Sequence, residues 1–355
     1  MSTHAPLDAE QLLARLRQLH DAMRDHLRAY ARTATLEEMA RETAQQGGDT
    51  IYALDDRGEE ILLPWCEELG RESPFLLVAE GVVSDTIAGE GRSEGRRLFG
   101  CDSIEDARFI LICDPIDGTR PLMYDKRSAW LLTGIAPNLG KETNVSHMEI
   151  AMQTELATSR GGFSDSLWAV KDQGAHGATF NLMTRDARPF TPRPSRANTI
   201  EGGFAMFSKF FPGSKGWLAN LEEELLLRVL GAPHDAQPQT FDDQYISTGG
   251  QLYELMTGRD RFNADLRPFA HARLHGDHSL RMCCHPYDIC TQLIARECGV
   301  IVTDEHGNEL SAPLDVHSPV TWIGYANSDI QQQIEPVLLE LLQREANAST
   351  TYSTP

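Results

Sequence analysis

The amino-acid sequence predicts a mixed α/β fold made of two lobes, and three observations support this prediction. Apolar residues recur at helical spacing through residues 7–46, with charged residues between them. Short apolar runs typical of buried strands, such as residues 75–79 and 109–113, alternate with amphipathic stretches. Three prolines in residues 188–196 indicate a connection between lobes. We therefore expect an N-terminal lobe over residues 1–190, a C-terminal lobe over residues 191–345 and a disordered tail over residues 346–355.

Three segments carry more specific predictions of secondary structure. Residues 50–54 are expected to form a short strand that ends at Asp55. Residues 59–69 have the composition of a helix, although Pro64 is expected to kink or break it. Near the C-terminus, apolar residues at helical spacing predict a helix over residues 287–298.

Composition and charge narrow the classes of function. The 355 residues include 32 basic and 52 acidic side chains, which give a net charge of -20. Such an acidic surface repels a phosphate backbone, so we expect no nucleic-acid partner. No apolar run reaches membrane-spanning length and no apolar signal core opens the chain, so we expect neither membrane insertion nor secretion. The seven cysteines contain no CxxC pair, which favours reduced thiols and a cytoplasmic location.

A carboxylate directly follows each of three predicted strands. Asp55, Glu80 and Asp114 take these places. The ends of strands in open sheets are where ligand-binding groups gather, because the loops there are free of packing constraints. We therefore expect these three side chains to converge on one site.

The run Asp-Pro-Ile-Asp-Gly-Thr that starts at Asp114 is the most specific pattern in the chain. Asp114 and Asp117 stand three residues apart across a turn, so both carboxylates can point at one place, together with the carbonyl of Ile116. These hard oxygen ligands suit Mg²⁺. The backbone N–H groups of Gly118 and Thr119 would face a phosphate at a predicted helix start. An Asp-x-x-Asp pair alone is more often a turn or a helix cap, but the full run is far more specific.

Two residues in the C-terminal part extend this site. Asp288, at the start of the predicted helix, can add a fourth carboxylate, although an aspartate at such a place is by itself most often a helix cap. Several carboxylates around two or three cations suit phosphoryl transfer, since one ion activates a water and another holds the leaving oxygen. Arg281 lies seven residues earlier and can meet a phosphate or a sugar hydroxyl, but a solvated arginine is an equally good interpretation.

The run that starts at Asp114 resembles the first signature of the inositol monophosphatase and fructose-1,6-bisphosphatase superfamily of Mg²⁺-dependent, often lithium-sensitive phosphatases. The resemblance covers most of residues 10–345. It implies a layered αβαβα sandwich of the sugar phosphatase type, with the metal site between the lobes. Homodimers are common in such families. The other similar segments are residues 53–55, residues 78–80, and residues 287–288 with residues 297–300 and Asp304.

The resemblance also implies a role for each candidate residue. Thr119, with Asp55 and Glu80, would orient and deprotonate the attacking water, and Gly118 and Thr119 would hold the phosphate. Tyr245 lies in a segment that looks like part of the substrate lobe in sugar bisphosphatases, and it would bind substrate together with Arg281. Two or three Mg²⁺ ions are expected, with Mn²⁺ able to substitute. The implied metal ligands are Glu80, Asp114, the carbonyl of Ile116, Asp117 and Asp288.

The sequence departs from the family pattern at several places, including Cys290 and Thr291 after Asp288, a longer loop between Glu80 and Asp114, and three further residues. Gly81 replaces a second Glu, so a third metal is expected to bind weakly; Tyr287 replaces Trp, and Arg120 replaces Asn. Our hypothesis is a phosphomonoesterase that acts on a small sugar, polyol or inositol phosphate. The alternatives are a catalytically weak or inactive regulatory protein of the same fold, and a phosphatase of 3′-phosphoadenosine 5′-phosphate.

Overall fold

The fold has five layers in which helices and sheets alternate. The computed structural model describes residues 8–46, 49–82, 86–87, 91–92, 95–233, 237–276, 280 and 282–348. Within this part of the chain, helices cover the outer faces of two sheets, and a further layer of helices lies between the sheets. This order confirms the αβαβα sandwich that the resemblance implies.

The first sheet contains eight of the strands in the described residues. Two interior strands, β3 (Phe75–Ala79) and β7 (Phe109–Asp117), are parallel neighbours, and the other pairs are antiparallel. Both interior strands are buried along their whole length, as expected for strands covered on both faces. In spatial order, the strands are β12 (Ala187–Phe190), β11 (Ala175–Asn181), β10 (Phe163–Val170), β9 (Ile150–Leu156), β8 (Ala129–Pro137), β7 (Phe109–Asp117), β3 (Phe75–Ala79) and β6 (Arg96–Phe99).

The remaining described strands form a smaller sheet and two hairpins. The smaller sheet has one parallel pair, between its first two strands, and is otherwise antiparallel. Its spatial order is β13 (Phe204–Phe207), β14 (Asp260–Asp265), β16 (Trp322–Tyr325) and β15 (Ile301–Thr303). The hairpins pair β1 (Glu42–Gln46) with β2 (Asp49–Tyr52), and β4 (Thr86–Ile87) with β5 (Gly91–Arg92).

The long helices supply the three helical layers. The helices α1 (Ala9–Thr33) and α3 (Ala53–Glu72) cover the first sheet. Between the sheets lie α6 (Thr248–Met256) and α8 (Gln292–Cys298), and α5 (Lys215–Leu230) and α9 (Ser328–Asn347) cover the second sheet. The shorter helices are α2 (Leu36–Met39), α4 (Thr119–Met123) and α7 (Arg267–His275). None of the described helices is both long enough and apolar enough to span a lipid bilayer.

Alternate side chains of β3 enter two different apolar cores. Phe75 and Leu77 pack with residues of α1 and α3, whereas Leu76 and Val78 pack with residues of α6 and α8. This follows from the period of two in a strand, which sends successive side chains to opposite faces. Each such fully buried side chain stabilises the fold by roughly 1.5–3 kcal/mol. The strand is therefore held rigidly from both sides, and so is its end.

The segment before β3 differs from the prediction at two points. The strand β2 ends at Tyr52, and α3 begins at Ala53, so Asp55 lies in the first turn of a helix and does not follow a strand. The reason is local, because Asp55 Oδ2 accepts the backbone N–H of Tyr52 at 2.8 Å and so caps the helix. Pro64 does not break α3. It lies on the exposed side, where water can satisfy the carbonyl that loses its N–H donor.

The C-terminal helices also differ from their predicted bounds. The helix α8 begins at Gln292, because a turn around Asp288 precedes it: the Asp288 N–H donates to the carbonyl of His285 at 3.0 Å. The helix α9 continues through Asn347, so residues 346–347 of the predicted tail are helical, and residues 349–355 lie outside the described residues. Since α6 and α8 contact both sheets, the division into two lobes at residue 190 stays a prediction.

A buried histidine fastens α1 to the first sheet. The ring nitrogens of His20 lie 2.9 Å from the hydroxyl oxygens of Thr154 on β9 and Thr133 on β8. Because each hydroxyl can donate or accept, these contacts accommodate the neutral ring, in which one nitrogen donates and the other accepts. Burial, followed by the charge of Arg24, lowers the pKa of His20 to about 3.

We expect His20 to make stability depend on pH in the acid range. Its folded pKa lies below its unfolded pKa of about 6.5, so its contribution is complete above about pH 6.5 and is lost as the pH falls. Urea unfolding should show the free energy difference between the wild type and His20→Gln shrinking by about 1.4 kcal/mol per pH unit below about pH 6.5. His306→Gln, at a side chain 70% exposed, should show no such trend. Parallel pH curves for the wild type and His20→Gln would contradict the prediction.

Candidate functional site

Glu80 and Asp114 are neighbours because β3 and β7 are parallel. Ala79 pairs with Cys113 in the register of these strands, so the residues that follow them lie side by side at one edge of the sheet. The register of β7 with β8 is irregular between Asp114 and Asp117, which marks a local bulge at the site. The predicted convergence of Glu80 and Asp114 thus has a direct cause in the sheet topology.

Three aspartates form the centre of the site. Asp114, Asp117 and Asp288 each bring a carboxylate oxygen within 4.8 Å of the other two. The first two are buried, and the Asp288 side chain is 13% exposed. A cluster of oxygen donors at this spacing fits a hard divalent cation such as Mg²⁺. The structure therefore brings together three of the predicted metal ligands, from two distant parts of the chain.

The burial of these carboxylates has a clear electrostatic consequence. Burial, followed by the charges of Glu80, Asp117 and Asp288, raises the pKa of Asp114 well above its usual range. Burial and the charge of Asp288 raise the pKa of Asp117 to about 8. Like charges in a low dielectric repel, and bound cations would offset that repulsion.

Asp117 also binds the start of α6. Its Oδ2 accepts hydrogen bonds from the Ser247 hydroxyl at 2.9 Å and from the Gly249 N–H at 2.6 Å. Its Oδ1 lies 3.3 Å from the Thr248 N–H. A carboxylate at a helix N-terminus is stabilised by the free N–H groups and by the helix dipole. Ser247 was not predicted as a site residue, although its place before a Gly-Gly pair is typical of a helix cap.

Thr119 and Asp55 form a hydroxyl–carboxylate pair beside the aspartates. The Thr119 Oγ1 lies 2.7 Å from Asp55 Oδ1 and 2.9 Å from the carbonyl oxygen of Ile116. The other Asp55 oxygen is fixed by the Tyr52 N–H. The helix start at Asp55 therefore aims its carboxylate at the loop that follows β7, which is the partnership the resemblance implies.

Gly118 meets two requirements that only glycine satisfies here. Its φ of +97° lies in the left-handed region, and it forms the N-cap of α4. A Cβ at this position would lie 3.2 Å from the Ile246 carbonyl oxygen and 3.2 Å from the Cβ of Ser247. The predicted helix start therefore lies at Thr119, in close contact with the segment before α6.

Most of the predicted site residues line one cleft. It runs between the end of β7, the start of α6 and the turn around Asp288. Phe210, Phe211 and Arg267, none of which was predicted, line the same cleft. The predicted residues that line it are Asp55, Glu80, Asp114, Ile116, Asp117, Gly118, Thr119 and Asp288.

Tyr245 does not line this cleft, contrary to its predicted contact with substrate. Its side chain is buried, and its hydroxyl accepts from the Trp130 indole N–H at 2.9 Å and donates to the Ser128 carbonyl at 2.7 Å. Arg127 lies over its ring at 3.7 Å. Tyr245 is therefore a core residue that joins the segment before α6 to β8. Arg281, the other predicted contact with substrate, lies outside the described residues.

Tyr287, one of the departures from the family pattern, contacts His285. The Tyr287 hydroxyl lies 3.2 Å from His285 Nδ1, and the two rings stack. The backbone N–H of His285 donates to Asp288 Oδ2 at 2.6 Å, so this turn helps to orient Asp288. Burial acts to lower the pKa of His285, but the hydrogen bond and charge of Asp288 outweigh it and raise the pKa.

A carboxylate from α3 stands beside Gly81. A Cβ at Gly81 would lie 3.1 Å from Glu59 Oε1, and Gly81 itself has a φ of +80°. Burial, followed by the charges of Asp56 and Asp55, raises the pKa of Glu59 to about 7. Glu59 was missed as a site residue, although it follows Asp55 by four residues and so lies on the same face of a helix.

We expect Asp114→Asn to stabilise the metal-free protein and to abolish its response to Mg²⁺. The folded pKa of Asp114 is raised, so the stability it contributes is complete below its unfolded pKa and is lost as the pH rises. With a chelator at about pH 8, the variant should melt higher by on the order of 2 °C or more. Added Mg²⁺ should raise the Tm of the wild type and leave that of Asp114→Asn unchanged. Asp186→Asn, at an exposed aspartate outside the cleft, should behave as the wild type; an equal Mg²⁺ response in Asp114→Asn would refute the metal assignment.

We expect Ser247→Ala to weaken Mg²⁺ binding by about tenfold, because Asp117 loses a hydrogen bond that orients it. Calorimetric titration with Mg²⁺ measures the effect. Ser214→Ala is the matched control, since Ser214 precedes α5 without a side-chain cap. Unchanged Mg²⁺ affinity in Ser247→Ala would show that the hydroxyl only caps α6.

Comparison with known proteins gives matches among solved structures alone. The sequence matches no protein-family model and no curated protein. The holo fructose-1,6-bisphosphatase of Leishmania major superposes with a TM-score of 0.60 at 13% identity, over 95% of this chain and 94% of that one. An inositol monophosphatase from Anabaena (Nostoc) gives 0.55 at 12% identity, over 95% and 96%.

A third structure combines both activities in its name. It is an inositol monophosphatase-fructose 1,6-bisphosphatase, and it superposes with a TM-score of 0.62 at 15% identity, over 92% of this chain and 98% of that one. At identities this low, the superpositions establish a shared fold and do not establish a shared activity. The chain therefore has the fold shared by these inositol monophosphatases and fructose-1,6-bisphosphatases, as its sequence resemblance implies.

Proposed function

We propose that this protein is a Mg²⁺-dependent phosphomonoesterase that hydrolyses a small sugar, polyol or inositol phosphate. The observation that carries the proposal is the convergence of Asp114, Asp117 and Asp288 beside the hydroxyl–carboxylate pair of Thr119 and Asp55. The shared fold with inositol and fructose phosphatases supports it.

The residues present fit a magnesium centre. Their donors are oxygen atoms, and the raised pKa values of Asp114 and Asp117 reflect a charge that a cation would offset. Two or three Mg²⁺ ions, or Mn²⁺ in their place, would supply positive charge for the phosphate oxygens and lower the pKa of a nucleophilic water. The ligands we assign are Glu80, Asp114, the carbonyl of Ile116, Asp117 and Asp288.

Thr119, Asp55 and Glu80 would position and deprotonate the attacking water. When the Thr119 hydroxyl donates to Asp55, its oxygen would still be able to accept a hydrogen bond from a water in the cleft. This arrangement turns a lone pair of the water toward phosphorus. Glu80, at the end of β3, is the nearby carboxylate that would take up the proton. The N–H groups of Gly118 and Thr119 would hold the phosphate oxygens.

The proposal also covers the binding partner and the cellular location of the protein. A small phosphorylated metabolite would be its partner. All seven cysteines are free, which supports a reducing compartment such as the cytoplasm. A homodimer stays a prediction from the resemblance.

We expect phosphate release from a panel of metabolites to require Mg²⁺ and the Thr119 hydroxyl. The panel contains inositol 1-phosphate, fructose 1,6-bisphosphate, glycerol 2-phosphate and 3′-phosphoadenosine 5′-phosphate, each assayed with Mg²⁺ or a chelator. Thr119→Val should lower kcat by about 100-fold or more, with KM little changed, because it removes a group that acts on the water. Thr119→Ser should keep most of the activity, and Thr191→Val, at an exposed threonine, should keep all of it.

Two results would count against this proposal. Full activity in Thr119→Val would remove Thr119 and Asp55 from the mechanism. No turnover of any panel member by the wild type, together with Mg²⁺ binding in calorimetry, would favour a catalytically inactive regulatory protein. Turnover of 3′-phosphoadenosine 5′-phosphate alone would move the substrate class to nucleotides.

A further inference from the structure

Arg267 is a buried cation that lines the cleft from the side of the smaller sheet. It follows β14 at the start of α7, and it is 7% exposed. Its guanidinium forms a two-armed ion pair with Asp265, from Nε to Oδ1 at 2.8 Å and from Nη2 to Oδ2 at 2.5 Å. Its Nη1 donates to the carbonyl of Met282 at 3.1 Å. The orientation of the guanidinium plane is thus fixed by partners on two sides.

Aromatic rings complete the setting of this side chain. The Arg267 guanidinium carbon lies 4.7 Å from the ring centre of Phe210 and 5.4 Å from that of Phe211. Both rings line the same cleft. Apolar rings around a guanidinium reduce its hydration, so its hydrogen bonds to a bound group are stronger than in water.

The hydrogen bonds of Arg267 leave part of its donor set available. A guanidinium has five N–H groups, and those bonds use three of them among the described residues. The two others belong to Nη1 and Nη2, one on each terminal nitrogen. Because these donors are held in fixed directions, they suit the oxygens of an oxyanion in a way that a flexible lysine ammonium does not reproduce.

The geometry points to Arg267 as a specificity residue that binds an oxyanion, a second phosphate or a carboxylate, on the part of the substrate away from the reacting phosphate. This inference rests on the proposed function. The aspartate cluster lies in the same cleft and would act on the reacting phosphate. Arg267 would therefore bind a different part of the substrate. Asp265 keeps the guanidinium oriented and limits its attraction for anions, which favours a selective contact over a general one.

Matched pairs of substrates test this role in the full-length protein with Mg²⁺. Fructose 1,6-bisphosphate is compared with fructose 1-phosphate and fructose 6-phosphate, and 2-phosphoglycerate is compared with glycerol 2-phosphate. We expect the wild type to favour the member with the second oxyanion by at least about tenfold in kcat/KM in one of these sets. A second phosphate and a carboxylate are distinguished by the set that shows the preference.

Variants at Arg267 locate the preference. In Arg267→Lys, KM for the favoured substrate should rise about tenfold with kcat little changed, and kinetics on its partner without the oxyanion should stay the same. Arg228→Lys, at an arginine paired with Glu340 outside the cleft, should match the wild type. Thermal melting checks that each variant is folded.

Distinct results separate failure of this inference from failure of the proposed function. An active wild type with no preference in any set overturns the role of Arg267, whether or not the variants fold. Equal losses on both members of a pair in Arg267→Lys also overturn it, because a purely structural role has that effect. A wild type that releases phosphate from no substrate overturns the phosphatase proposal itself, and this inference with it.

Discussion

Repulsion between buried carboxylates is the constraint on which the arrangement of this site depends. Asp114, Asp117 and Asp288 each place one carboxylate oxygen within 4.8 Å of the other two, and the charge of Glu80 further raises the pKa of Asp114. Burying like charges together costs free energy, so a fold keeps such a cluster only where rigid elements impose it. Here β3 and β7 do so, because each is packed between two apolar cores and their parallel register brings Glu80 next to Asp114.

The surrounding backbone offsets part of this repulsion. Asp117 accepts N–H groups at the start of α6, and Asp288 accepts the N–H of His285. These donors carry partial positive charge and fix the direction of each carboxylate, but they do not cancel the effect of burial on Asp117. The contacts of Asp117 also join the start of α6 to the end of β7. Hydrogen bonds of the site thus act together with the apolar core between the sheets to hold α6 in place.

The sequence predicts the part of this site that is local along the chain. The run from Asp114 to Thr119 specifies its own turn, and the αβαβα layers follow from the resemblance that the run carries. Asp55 was assigned to the correct partner but to the wrong element, since its capping bond to Tyr52 begins a helix there. Tyr245 was assigned to the substrate, whereas its hydroxyl satisfies Trp130 in the core. Polar residues of buried networks and of binding sites look alike in sequence, because only the packing around them differs.

Gly81 shows why a departure from a motif has to be judged in three dimensions. Position by position, the loss of a Glu at 81 suggests a weaker third metal. In the fold, the space beside Gly81 is taken by the Glu59 carboxylate, which reaches it from α3. A side chain at position 81 would contact Glu59. The Glu59 carboxylate can therefore lie beside this position because residue 81 is glycine. A carboxyl group at this edge of the site is thus retained from a different element, and a comparison of motifs along one segment does not reveal it.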